Sequence, residues 1–261
     1  AYNFEASATG SMGADCGDYN NDGWLDIFMT TYQAELPCLY RNHGHGVFED
    51  VTVRANAGVV TLPYINWGCG LVDFDNDGFK DLYVGNGHLE EFIDKIDRTT
   101  TYAPGDALLR NTGDGRFVDV TMTAGDGMLV RGSTRGVAFD DLDNDGRIDV
   151  TVLHSCGPAA VLRNETRNGN RWIQLRLQGA KTNRDGVGAR VRVVSGALVQ
   201  VDEVHSGRGY QSHWGSRLHF GLGNRERVDR IEVRWMGGGV DVFEDSAANR
   251  LVTLTEGTGR R

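Results

Sequence analysis

The stretch DLDNDGRID at Asp141–Asp149 decides how this chain is organised, because two close copies of it come earlier in the sequence. The copies are DYNNDGWLD at Asp18–Asp26 and DFDNDGFKD at Asp73–Asp81. Each reads D-x-[D/N]-N-D-G-x-x-D, with ligand-type oxygens at positions 1, 3, 5 and 9 and glycine at position 6. Ca²⁺ is a hard cation that takes oxygen ligands, and glycine lets the backbone turn sharply between them. The spacing predicts three bound calcium ions.

The predicted ligands are a side-chain oxygen from positions 1, 3, 5 and 9 and the backbone carbonyl of position 7. In chain order they belong to Asp18, Asn20, Asp22, Trp24, Asp26, Asp73, Asp75, Asp77, Phe79, Asp81, Asp141, Asp143, Asp145, Arg147 and Asp149. These loops are not EF-hands, because an EF-hand loop is longer, closes with glutamate and lies between helices. Here short apolar runs typical of strands flank each loop. One copy alone could be an acidic turn that binds nothing, but three copies in register favour calcium.

The first loop differs from the other two at position 3, where Asn20 stands in place of aspartate. Asparagine offers a neutral carbonyl oxygen instead of a carboxylate. The first loop therefore has three carboxylates, and each of the other loops has four. If the loops are equally rigid, the charge count predicts that the first loop binds calcium most weakly.

A second shared segment follows each loop and extends the repeat. It reads CLYRN at Cys38–Asn42, ALLRN at Ala107–Asn111 and AVLRN at Ala160–Asn164. The first two continue through a glycine turn into VFEDVT at Val47–Thr52 and RFVDVT at Arg116–Thr121. A four-stranded unit with the calcium loop between its first two strands predicts a β-propeller blade. Because a propeller closes with roughly four to eight blades, we expect a longer parent chain or other segments to complete the ring.

The region from about Met12 to Asn164 resembles the FG-GAP/VCBS repeats of calcium-dependent β-propellers, as in integrin α heads. After Asn164 a polar link leads into alternating strand-like runs such as Arg171–Leu177, which predict a β-sandwich. Four stretches there resemble the ASPIC/UnbV domain of the bacterial cartilage-acidic-protein-like family: Asn183–Val191, Glu203–Ser212, Leu218–Gly223 and Val228–Trp235. In that family the domain follows FG-GAP blades. The resemblance implies an extracytoplasmic calcium protein, and it implies no reaction.

The chain is therefore predicted to be all-β, with partial propeller blades in residues 1–165 and a β-sandwich-like domain in residues 170–261. Its net charge of −9 argues against nucleic acid as a partner, and the calcium loops, with eleven carboxylates, account for much of the acidity. No apolar run is long enough to span a membrane. The four cysteines form either two disulfides, in an oxidising compartment, or buried free thiols. We expect a secreted, periplasmic or cell-surface protein.

Three functions fit this sequence. The first is a binding or adhesion module, or a subunit of an extracellular assembly, whose partner is a protein or a glycan. Missing propeller blades or another subunit could also be that partner. The second is an enzyme that uses a loop site around His88, Glu90 and Glu91, on the long connection between strands. The third is a structural filament or scaffold subunit, which an open propeller edge would suit. A group of C-terminal histidines, including His205 and His219, lacks carboxylates at ligand spacing and is predicted to be structural.

Overall fold

The computed structural model describes residues 7–260, and β-strands dominate this range. Eighteen strands form five sheets. Three sheets are the blades that the repeats predict, and the other two form the C-terminal domain. The all-β prediction, with propeller blades followed by a sandwich-like domain, is confirmed.

The first blade is a four-stranded antiparallel meander. Its strands are β1 (Ala14–Gly17), β2 (Asp26–Met29), β3 (Cys38–Asn42) and β4 (Phe48–Asp50). The second blade repeats this order with β5 (Asn66–Val72), β6 (Asp81–Asn86), β7 (Ala107–Asn111) and β8 (Phe117–Asp119). The third has only β9 (Thr134–Asp140), β10 (Asp149–His154) and β11 (Ala160–Leu162), because the chain then leaves for the C-terminal domain. The connections carry a helical turn, α1 (Thr52–Ala55), and 3₁₀ turns at Val59–Thr61, Ile93–Lys95 and Asp126–Leu129.

The second blade lies between the other two, and every residue of β5 and β6 is buried. Successive side chains of a strand point to opposite faces of its sheet. Leu82 and Val84 accordingly join the core shared with the first blade, whereas Tyr83 joins the core shared with the third. The three D-x-[D/N]-N-D-G-x-x-D loops connect the first and second strands of each blade, as predicted.

The C-terminal domain is a sandwich of two sheets ordered β15-β12-β18 and β14-β13-β16-β17. The strands are β12 (Arg171–Gln178), β13 (Arg190–Ser195), β14 (Leu198–Glu203), β15 (Arg217–Gly223), β16 (Arg227–Arg234), β17 (Val240–Ala247) and β18 (Arg250–Thr255). One apolar core fills the space between the sheets, with Ile173 and Leu175 of β12 clustered with Val191 of β13 and Ile231 of β16. The four cysteines are free thiols, so the structure forms neither of the two possible disulfides.

Candidate metal centre

The carboxylate at position 1 folds each loop around itself. Its two oxygens accept hydrogen bonds of 2.8–3.2 Å from the backbone N–H groups of positions 5 and 6. These buried residues are Asp18, Asp73 and Asp141. The backbone is left-handed at the position-4 asparagine (φ 56–60°) and the position-6 glycine (φ 88–98°). Glycine at position 6 therefore has the conformational role that the motif predicts.

The carboxylate at position 9 closes each loop and ties it to the third strand of its blade. One oxygen accepts a hydrogen bond from the backbone N–H of position 2, at 3.0–3.2 Å. The other accepts one of 2.8 Å from the backbone N–H of the asparagine that ends the second shared segment. The three pairs are Asp26 with Asn42, Asp81 with Asn111, and Asp149 with Asn164. The sequence repeats this asparagine in every unit, and that repetition was the signal of its role.

Two of the three loops bring three carboxylates together. Oxygen atoms of Asp73, Asp75 and Asp81 lie within 4.8 Å of one another, and Asp141, Asp143 and Asp149 form the same arrangement. These are positions 1, 3 and 9. In the first loop Asn20 occupies position 3, so only Asp18 and Asp26 contribute carboxylates from these positions.

The carboxylates at position 5 take part in other contacts and lie outside these clusters in the described chain. In each loop the position-5 carboxylate accepts a hydrogen bond of 2.8–3.1 Å from the backbone N–H of position 7, which is Trp24, Phe79 or Arg147. Asp22 also forms an ion pair of 3.0 Å with Arg41. Asp145 forms ion pairs with Arg147 and Arg163. Three of the four predicted side-chain ligands are therefore assembled in the second and third loops.

Burial of the carboxylates at positions 1 and 9 disfavours their ionised form. Burial, with the neighbouring Asp77 and Asp75, raises the pKa of Asp73 to about 8. In the first loop burial raises the pKa of Asp26 to about 7 and that of Asp18 to about 6. A bound divalent cation would supply the opposite charge that favours the ionised form of each carboxylate. The donors are all oxygen atoms and the charge is concentrated, so the residues fit a hard cation such as Ca²⁺.

The three loops are also linked to one another. The position-4 asparagine donates its side-chain N–H to the position-6 carbonyl of the next loop, from Asn21 to Gly78 at 2.8 Å and from Asn76 to Gly146 at 3.0 Å. The closing asparagine donates to the position-2 carbonyl of the preceding loop, as Asn111 does to Tyr19 at 2.8 Å. Asn164 repeats that bond in the third blade. Sequence reasoning missed these bonds, although asparagine stands at position 4 of every loop.

The C-terminal domain packs directly on the second and third loops. Gln174 donates to the position-1 carboxylate of Asp141 at 2.8 Å. His219 Nε2 lies 2.6 Å from Asn76 Oδ1, and burial, with Lys80 and Arg217, lowers the pKa of His219 to about 3. Neutral His219 therefore donates from Nε2 to the asparagine oxygen. The structural role predicted for this histidine is consistent with that contact.

A buried ion pair joins the C-terminal domain to the first blade. Arg208, on the segment between β14 and β15, donates to both carboxylate oxygens of Asp15 on β1, at 2.6 and 3.0 Å. Their side chains are only 4% and 1% exposed. The guanidinium carbon lies 3.9 Å from the centre of the Trp214 ring. The same segment places Tyr210 against Trp67 of β5 and Trp214 against Phe139 of β9, so it crosses the first strand of every blade.

The predicted enzyme site is not assembled. His88 is buried, and its Nδ1 accepts a hydrogen bond of 3.0 Å from the backbone N–H of Glu90. Glu90 and Glu91 are exposed. The backbone carbonyl of His88 accepts hydrogen bonds from Ser133 and Arg135. This histidine therefore anchors the long connection between β6 and β7, and Glu90 and Glu91 lie at the surface beside it.

Comparison with known proteins agrees with this architecture. Residues 18–84 match the model of the FG-GAP-like repeat, and residues 179–261 match the model named ASPIC and UnbV. The chain carries both an FG-GAP-like repeat and an ASPIC/UnbV domain. The resemblance drawn from the sequence motifs is thereby confirmed. Within residues 7–260 no helix is long and apolar enough to cross a membrane.

The curated relatives that this chain matches are named Cartilage acidic protein 1. The Homo sapiens protein is 25% identical over 235 residues, which cover 87% of this chain and 33% of that protein. The Mus musculus protein is also 25% identical, with 87% and 34% covered. The Xenopus tropicalis protein is 24% identical, with 92% and 43% covered. The chain thus spans less than half the length of these relatives.

Proposed function

We propose that this chain is an extracytoplasmic calcium-binding repeat protein that acts as a binding or adhesion module or as a subunit of an extracellular assembly. The three FG-GAP-type loops would each hold one Ca²⁺ through the carboxylates at positions 1, 3 and 9, Asn20 replacing the carboxylate at position 3 of the first loop. The carboxylate at position 5 and the carbonyl at position 7 would complete each site. Its location would be secreted, periplasmic or at the cell surface.

One observation carries the proposal. Two clusters of three carboxylates, each with oxygen atoms within 4.8 Å, stand at the same positions of a repeated loop, and the carboxylates at positions 1 and 9 are buried. Like charges at such short distances, out of water, are costly unless a cation or protons neutralise them. The same loops bind one another and the ASPIC/UnbV domain, so neutralisation there would stabilise the whole arrangement. We propose a structural role for calcium.

Isothermal titration of metal-free protein with Ca²⁺ and with Mg²⁺ tests this proposal. We expect three calcium equivalents, and weaker binding of Mg²⁺ because it demands a smaller octahedral site. Asp73→Asn and Asp141→Asn should each remove or weaken one site. Asp126→Asn is the matched control, since Asp126 is exposed and lies outside the loops. Absence of calcium binding at millimolar concentration, or equal losses in the control, would contradict the proposal.

The partner is proposed to be a protein or a glycan. The repeat architecture supports a binding role, because propeller connections and edges commonly form interaction surfaces. Glycan arrays and cell-surface binding assays, each in calcium and in EGTA, test both partner classes. Absence of calcium-dependent binding to either class would overturn this part of the proposal and leave the metal sites unaffected.

A further inference from the structure

The third blade has an open edge where the other two blades have a fourth strand. In the first blade β4 pairs with β3 so that Asn42 faces Phe48 and Arg41 faces Glu49. In the second blade β8 pairs with β7 in the same register, with Asn111 facing Phe117. In the third blade β11 pairs with β10 on one side and has no strand neighbour on the other within the described chain. Val161, in the middle of β11, is 64% exposed.

The fourth strands show what the open edge can bind. In the first blade the backbone N–H of Leu39 donates to the hydroxyl of Thr52 at 2.7 Å, and the carbonyl of Leu39 accepts from Val51 at 2.9 Å. Leu108 of the second blade makes the same two bonds, each of 3.0 Å, to Thr121 and Val120. Val161 is the equivalent residue of the third blade. Its N–H and carbonyl groups therefore point to the free edge by the same register.

A cleft of about 760 Å³ lies beside this edge, between the second and third blades. Phe74, Tyr83, Ile148 and Leu162 contribute to its apolar lining. In the second blade Phe117 begins the fourth strand and stacks on the ring of Tyr19, with ring centres 5.7 Å apart. Tyr19 stands at position 2 of the first loop. The residue at position 2 of the second loop is Phe74, so the cleft offers the stacking surface that a fourth-strand phenylalanine requires.

The register of the first two blades also indicates which residue would lie opposite Arg163. Arg110 and Arg163 are exposed and line the cleft. Arg41, the equivalent of Arg163, faces Glu49 across the first blade. Arg163 already pairs with Asp143 at 2.8 Å and lies within 3.9 Å of carboxylate oxygens of Asp145 and Glu165, and its side chain is 59% exposed. The place directly after the phenylalanine holds Glu49 in the first blade and Val118, opposite Arg110, in the second; the pattern tested below takes the acidic residue of the first blade.

We propose that the edge of β11 and this cleft bind an extended segment of a partner polypeptide with the pattern Phe-Glu-Asp-Val-Thr. The segment would pair antiparallel to β11 as the fourth strand of the blade, with its phenylalanine opposite Asn164 and against Phe74. Its threonine hydroxyl would accept from the Val161 N–H. Main-chain hydrogen bonds give such strand addition its affinity, and side-chain pockets give its specificity. The proposal specifies the partner of the proposed binding function and does not require the calcium sites.

Fluorescence anisotropy of an end-capped peptide with the sequence of Gly46–Val53 tests the proposal against calcium-loaded chain. We expect saturable binding that weakens at least ten-fold when serine replaces the peptide phenylalanine or when the peptide valine that precedes threonine is N-methylated. On the protein, Val161→Pro removes the edge N–H and should have the same effect, whereas Val161→Thr keeps it and should bind normally. Proline is tolerated on edge strands. The peptide variants test the idea even if Val161→Pro does not fold.

Equal binding of all the peptides, or no binding of the parent peptide, would overturn the proposal. Analytical ultracentrifugation of the chain alone shows whether a second copy of the chain, and not a separate partner, occupies the edge of β11. A dimer that Val161→Pro converts to monomer would assign the edge to self-association and overturn a separate partner. A monomer supports the proposal. Calcium titration of the same sample reports on the proposed metal sites independently, because none of these changes touches a predicted ligand.

Discussion

The buried pair of Asp15 and Arg208 gives the sharpest test of how the ASPIC/UnbV domain is held on the blades. Asp15→Asn removes the negative charge and keeps an acceptor for the backbone N–H of Leu71, which donates to Asp15 at 2.8 Å. The guanidinium of Arg208 then stays buried without its counter-charge. Removing one partner of a buried pair costs about 3–5 kcal/mol. The charge-assisted bonds to Asp15 are lost, whereas the contacts to Trp214 and to the carbonyl of Cys16 and the attraction of the buried Asp202 carboxylate remain.

Urea unfolding of the full chain in saturating calcium measures this cost. Glu49→Gln is the control, because Glu49 pairs with Arg54 at the surface and exposed pairs are worth about 0–1 kcal/mol. The double variant Asp15→Asn with Arg208→Met removes both charges and should recover most of the loss. A loss below about 1 kcal/mol for Asp15→Asn, or no recovery in the double variant, would show that the pair does not hold the domain in place.

Three further predictions follow from particular contacts. Removal of calcium with EGTA should lower hydrogen-exchange protection most in the blades and in β12 and β15, because these two strands contact the loops. Strands β16 and β17 should keep their protection, and an equal loss in all strands would contradict this prediction. The first loop should lose calcium before the others as the calcium concentration falls, and Asn20→Asp should raise its calcium affinity. Site-resolved titration by NMR measures the order in which the loops empty. A first loop that empties last would show that geometry outweighs charge count. Glu256→Gln should lower the urea midpoint at pH 7, because backbone N–H groups of Thr182, Lys181 and Ala180 hold the pKa of Glu256 at about 2. Because the pKa of Glu256 is lower in the folded protein than its ordinary 4.5, ionised Glu256 stabilises the fold above pH 4.5. The difference in urea midpoint between Glu256→Gln and the parent chain should therefore vanish as the pH falls toward 2.

The sequence allowed prediction of the repeated loops and of the strands that flank them. The loops, their left-handed glycines and the strands on either side follow from spacing and composition over a few residues. Asp15 and Arg208 are 193 residues apart, and no local pattern pairs an aspartate in one strand with an arginine in a distant turn. Among residues 7–260 the third blade has no fourth strand, and the sequence shows this as a repeat that stops after Asn164. The sequence alone could not show the cleft beside the edge of β11, because the cleft depends on how the second and third blades pack.

The order of the two regions along the chain has a physical consequence at the third loop. Asn21 and Asn76 each bind the loop that follows, but no further loop follows Asn144 in this chain. There the ASPIC/UnbV domain supplies Arg217, which donates to Asn144 at 2.8 Å and to Asp140 at 2.7 Å. Arg217 binds the side-chain oxygen of Asn144, whereas Asn21 and Asn76 bind the next loop through their side-chain N–H groups. The domain therefore gives the last blade a polar partner on its loop side by a different contact. The outer edge of β11 has no strand neighbour within residues 7–260, and the proposed partner segment would join the sheet there.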